Sequence, residues 1–318
     1  MTAWIAALLL LLPLAGCRDE SPVYNFQINA FMCPVDLAIV GVKRQEAELA
    51  ARLIEENFES MRQAWGAPGA PPLERVNALL PGGKPFAAPP NILPLVRKSQ
   101  ELAAASGNLF NPAIGKLIDL WGFQAGEPGR RRVPPDKARI EALVKANPRM
   151  SDILIDGIQL QGGNPSLKLD FGFIAKGYAI DLAVAQLREL GIHNALVNVG
   201  GDLRAIGTRG GQPWPVAVRN PVGGGVLAIL QVSGDETIFT LGDYELNFTH
   251  KGKTYHHVID PRTGWPAEGA RLVTLVHDDA TRADAAAAAL MIAGPDLWHQ
   301  TAVAMGVRSV LLIDPRGR

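Results

Sequence analysis

Leu169-Asp-Phe-Gly-Phe-Ile-Ala-Lys-Gly-Tyr-Ala-Ile-Asp181 is the stretch on which the fold turns. It reads as a short strand over 167–170 that ends on an acid, turns at Gly172 and enters a helix over 176–190. The helix carries Ile180, Ala183, Leu187 and Leu190 on one face. An acid, a glycine turn and a lysine near a helix start suit a bound anion. Free N–H groups at a helix N-terminus attract negative charge, and Lys176 adds a point charge. Upstream, residues 25–42 read as extended, 45–65 and 91–106 as amphipathic helices, and 152–160 as strand. The Gly/Ala/Pro-rich residues 66–90 read as an irregular connection, and 130–147 as a proline pair before a short helix. Downstream, strands are expected at 195–199, 216–218, 226–232, 237–240, 272–276 and 309–313, with an alanine-rich helix over 281–291. Strands and helices interleave without strict βαβ alternation, so the predicted class is α+β (mixed α/β).

The chain has 318 residues, with 31 basic and 31 acidic side chains and no net charge. A phosphate-backbone binder needs a basic surplus, so no nucleic-acid partner is expected. Two cysteines, Cys17 and Cys33, exclude a disulfide framework and a cysteine-built zinc site. The 13 residues from Ala3 to Ala15 are apolar, short of the ~20 that cross a bilayer but the length of a signal h-region. No Lys or Arg precedes that run. Leu14-Ala15-Gly16-Cys17 matches a bacterial lipobox. The expectation is a lipoprotein signal peptide over 1–17 and one domain over 18–318. The protein would be exported and held at the periplasmic face of a bacterial membrane by lipid on Cys17.

The sequence holds no G-x-x-x-x-G-K-[ST], G-x-S-x-G or H-E-x-x-H pattern. Three further segments concentrate unusual residues: Leu109-Phe-Asn-Pro-Ala-Ile-Gly115, Asn198-Val-Gly-Gly-Asp-Leu-Arg204, and Tyr255-His-His-Val-Ile-Asp-Pro-Arg-Thr-Gly264. The last is followed by Thr281-Arg-Ala-Asp284 at the start of the alanine helix. Singly, each has an ordinary explanation as a tight turn, a solvated lysine or a charge at a helix start.

In order and spacing, the segments at 110–115, 169–181, 198–202, 257–264 and 283–288 resemble the FAD:protein FMN transferase family. These are the flavin transferases formerly called thiamine-biosynthesis lipoproteins. The resemblance implies a flavin-transferase-type fold and Mg²⁺-dependent transfer of FMN from FAD to a Ser or Thr hydroxyl of an acceptor flavoprotein of a membrane redox system, with release of AMP. It implies FAD contacts at Met32, Trp65, Leu109, Phe110, Asn111, Asp170, Lys176 and Val258. It places Mg²⁺ on the Asp284 carboxylate and the Phe173 carbonyl, both hard oxygen donors. His257 becomes the base toward the acceptor hydroxyl, and Asp284 is catalytic through the metal. The chain departs from the family pattern where Cys33-Pro34 follow Met32, where Asn111 replaces an acid, and where Phe173 replaces a glycine. Leu241 stands for a serine, and Ala288 stands for a metal-binding threonine one turn after Asp284. Two other readings stay open: a flavin-binding relative with lost or altered activity (carrier, scaffold or slow FAD pyrophosphatase), and a lipid-anchored non-enzymatic binding module.

Overall fold

The computed structural model describes residues 22–30, 33–66, 69–123, 133–220 and 225–318. Met32, Cys17 and the expected signal peptide lie outside these residues. The chain opens with a hairpin, β1 (Val23–Ala30) and β2 (Cys33–Val40), followed by α1 (Arg44–Met61), α2 (Pro71–Leu79), β3 (Phe86–Ala87) and α3 (Leu93–Ala105). Two short helices, α4 (Gly115–Trp121) and α5 (Lys137–Ala146), precede a second hairpin, β4 (Ile153–Asp156) with β5 (Gln159–Gly162). Then come α6 (Ala175–Glu189), β6 (Asn194–Val199), β7 (Asp202–Gly207), β8 (Trp214–Arg219), β9 (Val226–Val232) and β10 (Gly234–Gly242). The chain closes with β11 (Asn247–His250), β12 (Lys253–His256), β13 (Leu272–His277), α7 (Ala280–Ala304) and β14 (Ser309–Ile313).

The frame is a seven-stranded sheet in the order β1-β2-β6-β7-β10-β13-β14. Every pairing in it is antiparallel. That is the mixed α+β class expected from the missing βαβ alternation. Alternation along the strands sends Val35, Leu37, Ile39, Val197 and Phe239 to one face, where α1, α6 and α7 supply the partners of the main core. The other face carries Val40, Leu203, Ala205 and Ile238, and the β8–β9 ribbon covers it through Trp214, Val216 and Val232.

Several elements differ from the sequence expectation. Residues 25–42 form two paired strands rather than one extended run. Residues 66–90 contain α2, because Pro71-Pro72 occupy its first turn, where proline's missing N–H costs nothing and its fixed φ suits the helix. The strand over 167–170 is a single bridge between Lys168 and Ile114. The alanine helix runs on to Ala304, kinked where Gly294 (φ 64°) precedes Pro295.

Candidate active site

The start of the 169–181 segment is held from two sides. Asp170 N–H donates to the Pro112 carbonyl (2.9 Å), and Gly115 N–H donates to the Lys168 carbonyl (2.8 Å). A Cβ on Gly115 would lie 2.6 Å from that carbonyl oxygen, so only glycine lets the 110–115 turn approach so closely. Asn77, on α2, fixes the other side. Its amide donates to the Leu169 carbonyl (3.0 Å), and its oxygen accepts from the Leu169 N–H (2.7 Å). A buried side chain thus does the work of a neighbouring strand.

Helix α6 then packs directly on the start of α7. A Cβ on Gly177 would lie 2.1 Å from the Ala280 carbonyl oxygen, so the helices meet only because that atom is missing. The contact lets Gly177 N–H donate to the Asp284 carboxylate (3.0 Å). Asp181, one turn further on, receives the Ala280 N–H (3.0 Å), the Thr281 N–H (2.8 Å) and the Thr281 hydroxyl (2.5 Å), and pairs with Arg204. The acid closing one motif therefore satisfies the orphan donors opening the other.

Asp284 is 4% exposed. Burial pushes its carboxyl up to about 7, aided by the nearby Asp202 and Glu245 charges and opposed by Lys176 and the Gly177 N–H. Burial acts to lower the Lys176 ammonium, but Asp202, its ion-pair partner, and Asp284 outweigh that and hold it protonated. Asp202 also accepts from the Thr240 N–H (3.0 Å), which ties the β6–β7 turn to β10. Burial pushes His257 down to about 4, and the His256 and Lys176 charges act the same way, so the ring is neutral at physiological pH. Its Nδ1 is buried without a hydrogen-bond partner. The Phe173 ring lies against the His257 ring, with centroids 5.4 Å apart.

A narrow cleft of about 30 Å³ collects Leu109, Phe110, Asn111, Asp170, Phe173 and Ala288, with Ile259 and Ile292 behind them. Six positions singled out by the sequence thus share one cavity. Within it, Asn111 spends its side chain on the turn, donating to the Pro148 carbonyl (2.9 Å) and accepting from the Ala113 N–H (3.1 Å). Asp170 likewise accepts from the Gly172 N–H (2.8 Å). Trp65 is buried beside α6, edge-on to Tyr178 with centroids 6.2 Å apart. Val258 is fully buried, its N–H directed to His256 Nδ1 (3.3 Å) and its carbonyl receiving the Ala267 N–H (2.8 Å). His256 is structural, since its Nε2 bonds the Ala267 carbonyl (2.7 Å).

Sequence reading missed three contributors. Asp202 stood in a recognised glycine turn, but its pairing with Lys176 is a three-dimensional fact. Asp181 closed the decisive stretch without a role of its own. Asn77 gave no signal at all, as a lone asparagine in a stretch read as irregular.

Residues 32–311 match the ApbE family. The chain belongs to the ApbE family. Among relatives of this ApbE-family chain, an FAD:protein FMN transferase from Rhodobacter capsulatus is 37% identical over 281 residues, covering 87% of this chain and 53% of the relative. This chain thus spans about half the length of that relative. An FAD:protein FMN transferase from Vibrio cholerae is 29% identical, covering 98% of this chain and 94% of its own. Among solved structures, the ApbE protein of Thermotoga maritima superposes with a TM-score of 0.83 at 29% identity, covering 93% of this chain and 96% of that one. The flavin transferase ApbE from Vibrio cholerae gives 0.79 at 25%, covering 92% and 94%.

Proposed function

We propose that this ApbE-family chain is an FAD:protein FMN transferase. It would move FMN from FAD to a Ser or Thr hydroxyl of an acceptor flavoprotein, with release of AMP. The observation that carries the reading is the meeting of the 169–181 and 281–288 segments at the Gly177–Asp284 hydrogen bond, with Lys176 beside it and the neutral His257 ring close by.

The residues present fit Mg²⁺. Asp284 is a buried carboxylate that burial pushes up, with Lys176, itself paired with Asp202, opposing the shift. Among the described residues no three His, Cys, Asp or Glu groups converge as a metal cage. Mg²⁺ accepts that sparse set, because it keeps several waters and takes one or two carboxylates together with substrate phosphates. Asp284 and the Phe173 carbonyl would hold it. Bound there, it would supply neutralisation of charge on the pyrophosphate and on the departing phosphate.

In this scheme the acceptor oxygen forms a bond to the FMN phosphorus while the bond from that phosphorus to the bridging oxygen of the pyrophosphate breaks, and AMP leaves. His257 takes the hydroxyl proton, for which its neutral imidazole is ready. Lys176, kept protonated by its acidic neighbours, sets a fixed positive charge beside the phosphates. Leu109, Phe110 and Asp170 line the approach for the flavin donor, and Met32 and Trp65 are proposed to complete it. The acceptor is assigned to a membrane redox system and the enzyme to the periplasmic face, anchored through Cys17; the lipobox in the sequence supports the anchor.

Ala288 and Phe173 favour one second reading, a flavin binder with weakened transfer. Ala288 offers no side-chain oxygen one turn after Asp284. Incubation with FAD, Mg²⁺ and a threonine-containing acceptor separates the two. Acceptor mass rising by one FMN, with AMP in solution, supports the transferase. Unchanged acceptor mass at saturating Mg²⁺, with flavin still bound, supports the binder.

A further inference from the structure

The β8–β9 ribbon is two-faced. Trp214, Val216, Val218 and Val232 point into the molecule and are buried. On its outer side Ala217 pairs with Ile229 and Pro215 with Gln231, with Leu227 next along β9. Ile229 is 62% exposed, Val226 58% and Leu227 42%. Pro215 and Ala217 are exposed too. The outer positions 215, 217, 227, 229 and 231 carry no charge, although alternation on a solvated antiparallel ribbon ordinarily turns polar side chains outward.

The occupant of this face follows from where the chain enters. Val23, the first residue of β1, packs into the same apolar cluster as the inner face of the ribbon. Cys17 lies six residues before it, and six residues span at most about 20 Å. Lipid on Cys17 would therefore hold the ribbon close to the bilayer. We infer that the outer face of β8–β9 is a membrane-contact surface, seating Ile229 and Leu227 in the headgroup–acyl boundary of the bilayer that carries the anchor. Apolar side chains at that depth add to the hold of an acyl chain. The face belongs neither to the cleft nor to the transfer chemistry.

The inference rests on the anchored reading, and the experiment separates the two. The full chain is purified from membranes in a Cys33→Ser background, with Ile229→Cys carrying an environment-sensitive NBD probe. It is reconstituted in phosphatidylethanolamine–phosphatidylglycerol vesicles, and the N-terminal peptide is weighed for acylation. The expected result is a blue-shifted probe quenched by spin-labelled acyl chains, while a probe at Glu55→Cys, on α1 across the sheet, keeps its aqueous spectrum. A double Leu227→Ser/Ile229→Ser variant guards against a labelling artefact. It is expected to keep flavin transfer to a soluble acceptor while being released more readily from vesicles. An acylated Cys17 with a water-exposed probe at 229 overturns the surface alone. Probe–probe quenching between copies, without lipid quenching, assigns the face to a second copy and overturns it as well. An unacylated Cys17 overturns both the anchor and the surface.

Discussion

At the scale of single residues, the site is organised around one buried charge. Asp284→Asn keeps an acceptor for the Gly177 N–H and removes the charge, so it is expected to abolish metal-dependent transfer while stabilising the metal-free protein. The folded-state carboxyl titrates near 7 and the unfolded one near its usual value of 3.8, so the stabilisation is absent below about pH 4 and complete above pH 7, up to about 4 kcal/mol by linkage. Melting temperatures of the two proteins at pH 4, 6 and 8 check this; a constant difference would contradict it. His257 gives the opposite sign. Its pKa is pushed down to about 4, so transfer at saturating Mg²⁺ should stay level from pH 8 to about pH 5 and fail below, where a solvated histidine would fail near 6.5. Ala288→Thr restores a hard oxygen one turn from Asp284 and is expected to tighten Mg²⁺ about 10-fold, read as a shift in the metal dependence of transfer.

At the scale of elements, α2, α6 and α7 position the chemistry through backbone contacts. Asn77→Ala leaves the buried N–H and C=O of Leu169 without partners. It should cost on the order of 2 kcal/mol and raise the KM for FAD more than it lowers kcat, because Asp170 follows Leu169 directly. Steady-state kinetics beside a denaturation curve would show whether the clamp serves binding or only stability. The uneven legibility of the sequence has the same origin. Helices α1, α3 and α6 were readable because their apolar faces repeat at helical spacing. Helix α2 was hidden, since the two prolines that start it look like a break when the following turn is unseen. Strand β7 was hidden behind its own glycine turn, and its core-facing pattern makes sense only with β6 and β10 on either side. The motif positions marked the cleft, whereas Asp202, Asp181 and Asn77 depend on partners 23 to 100 residues away that no local pattern encodes.

At the scale of the whole molecule, the eight residues of β1 separate two poles by about 23 Å. Val23 marks the pole where the chain enters. Ala30 and Cys33 mark the other, where Gly200 N–H donates to the Pro34 carbonyl (3.0 Å) and Asp202 begins the next strand. The site therefore stands away from the proposed anchor, and an acceptor threonine would have to project from its membrane by a similar distance. Cys17→Ser is expected to leave transfer to a soluble acceptor unchanged and to slow transfer to a membrane-embedded one by about 100-fold, through loss of effective concentration; acceptor mass in the two fractions over time tests it. The missing Cβ of Gly177 has a different kind of consequence, for anyone who would rebuild this centre elsewhere. With 2.1 Å between that vacant position and the Ala280 carbonyl oxygen, the two helices cannot be grafted separately onto a new scaffold. They must be transplanted as a single interlocked part, with the glycine at the joint.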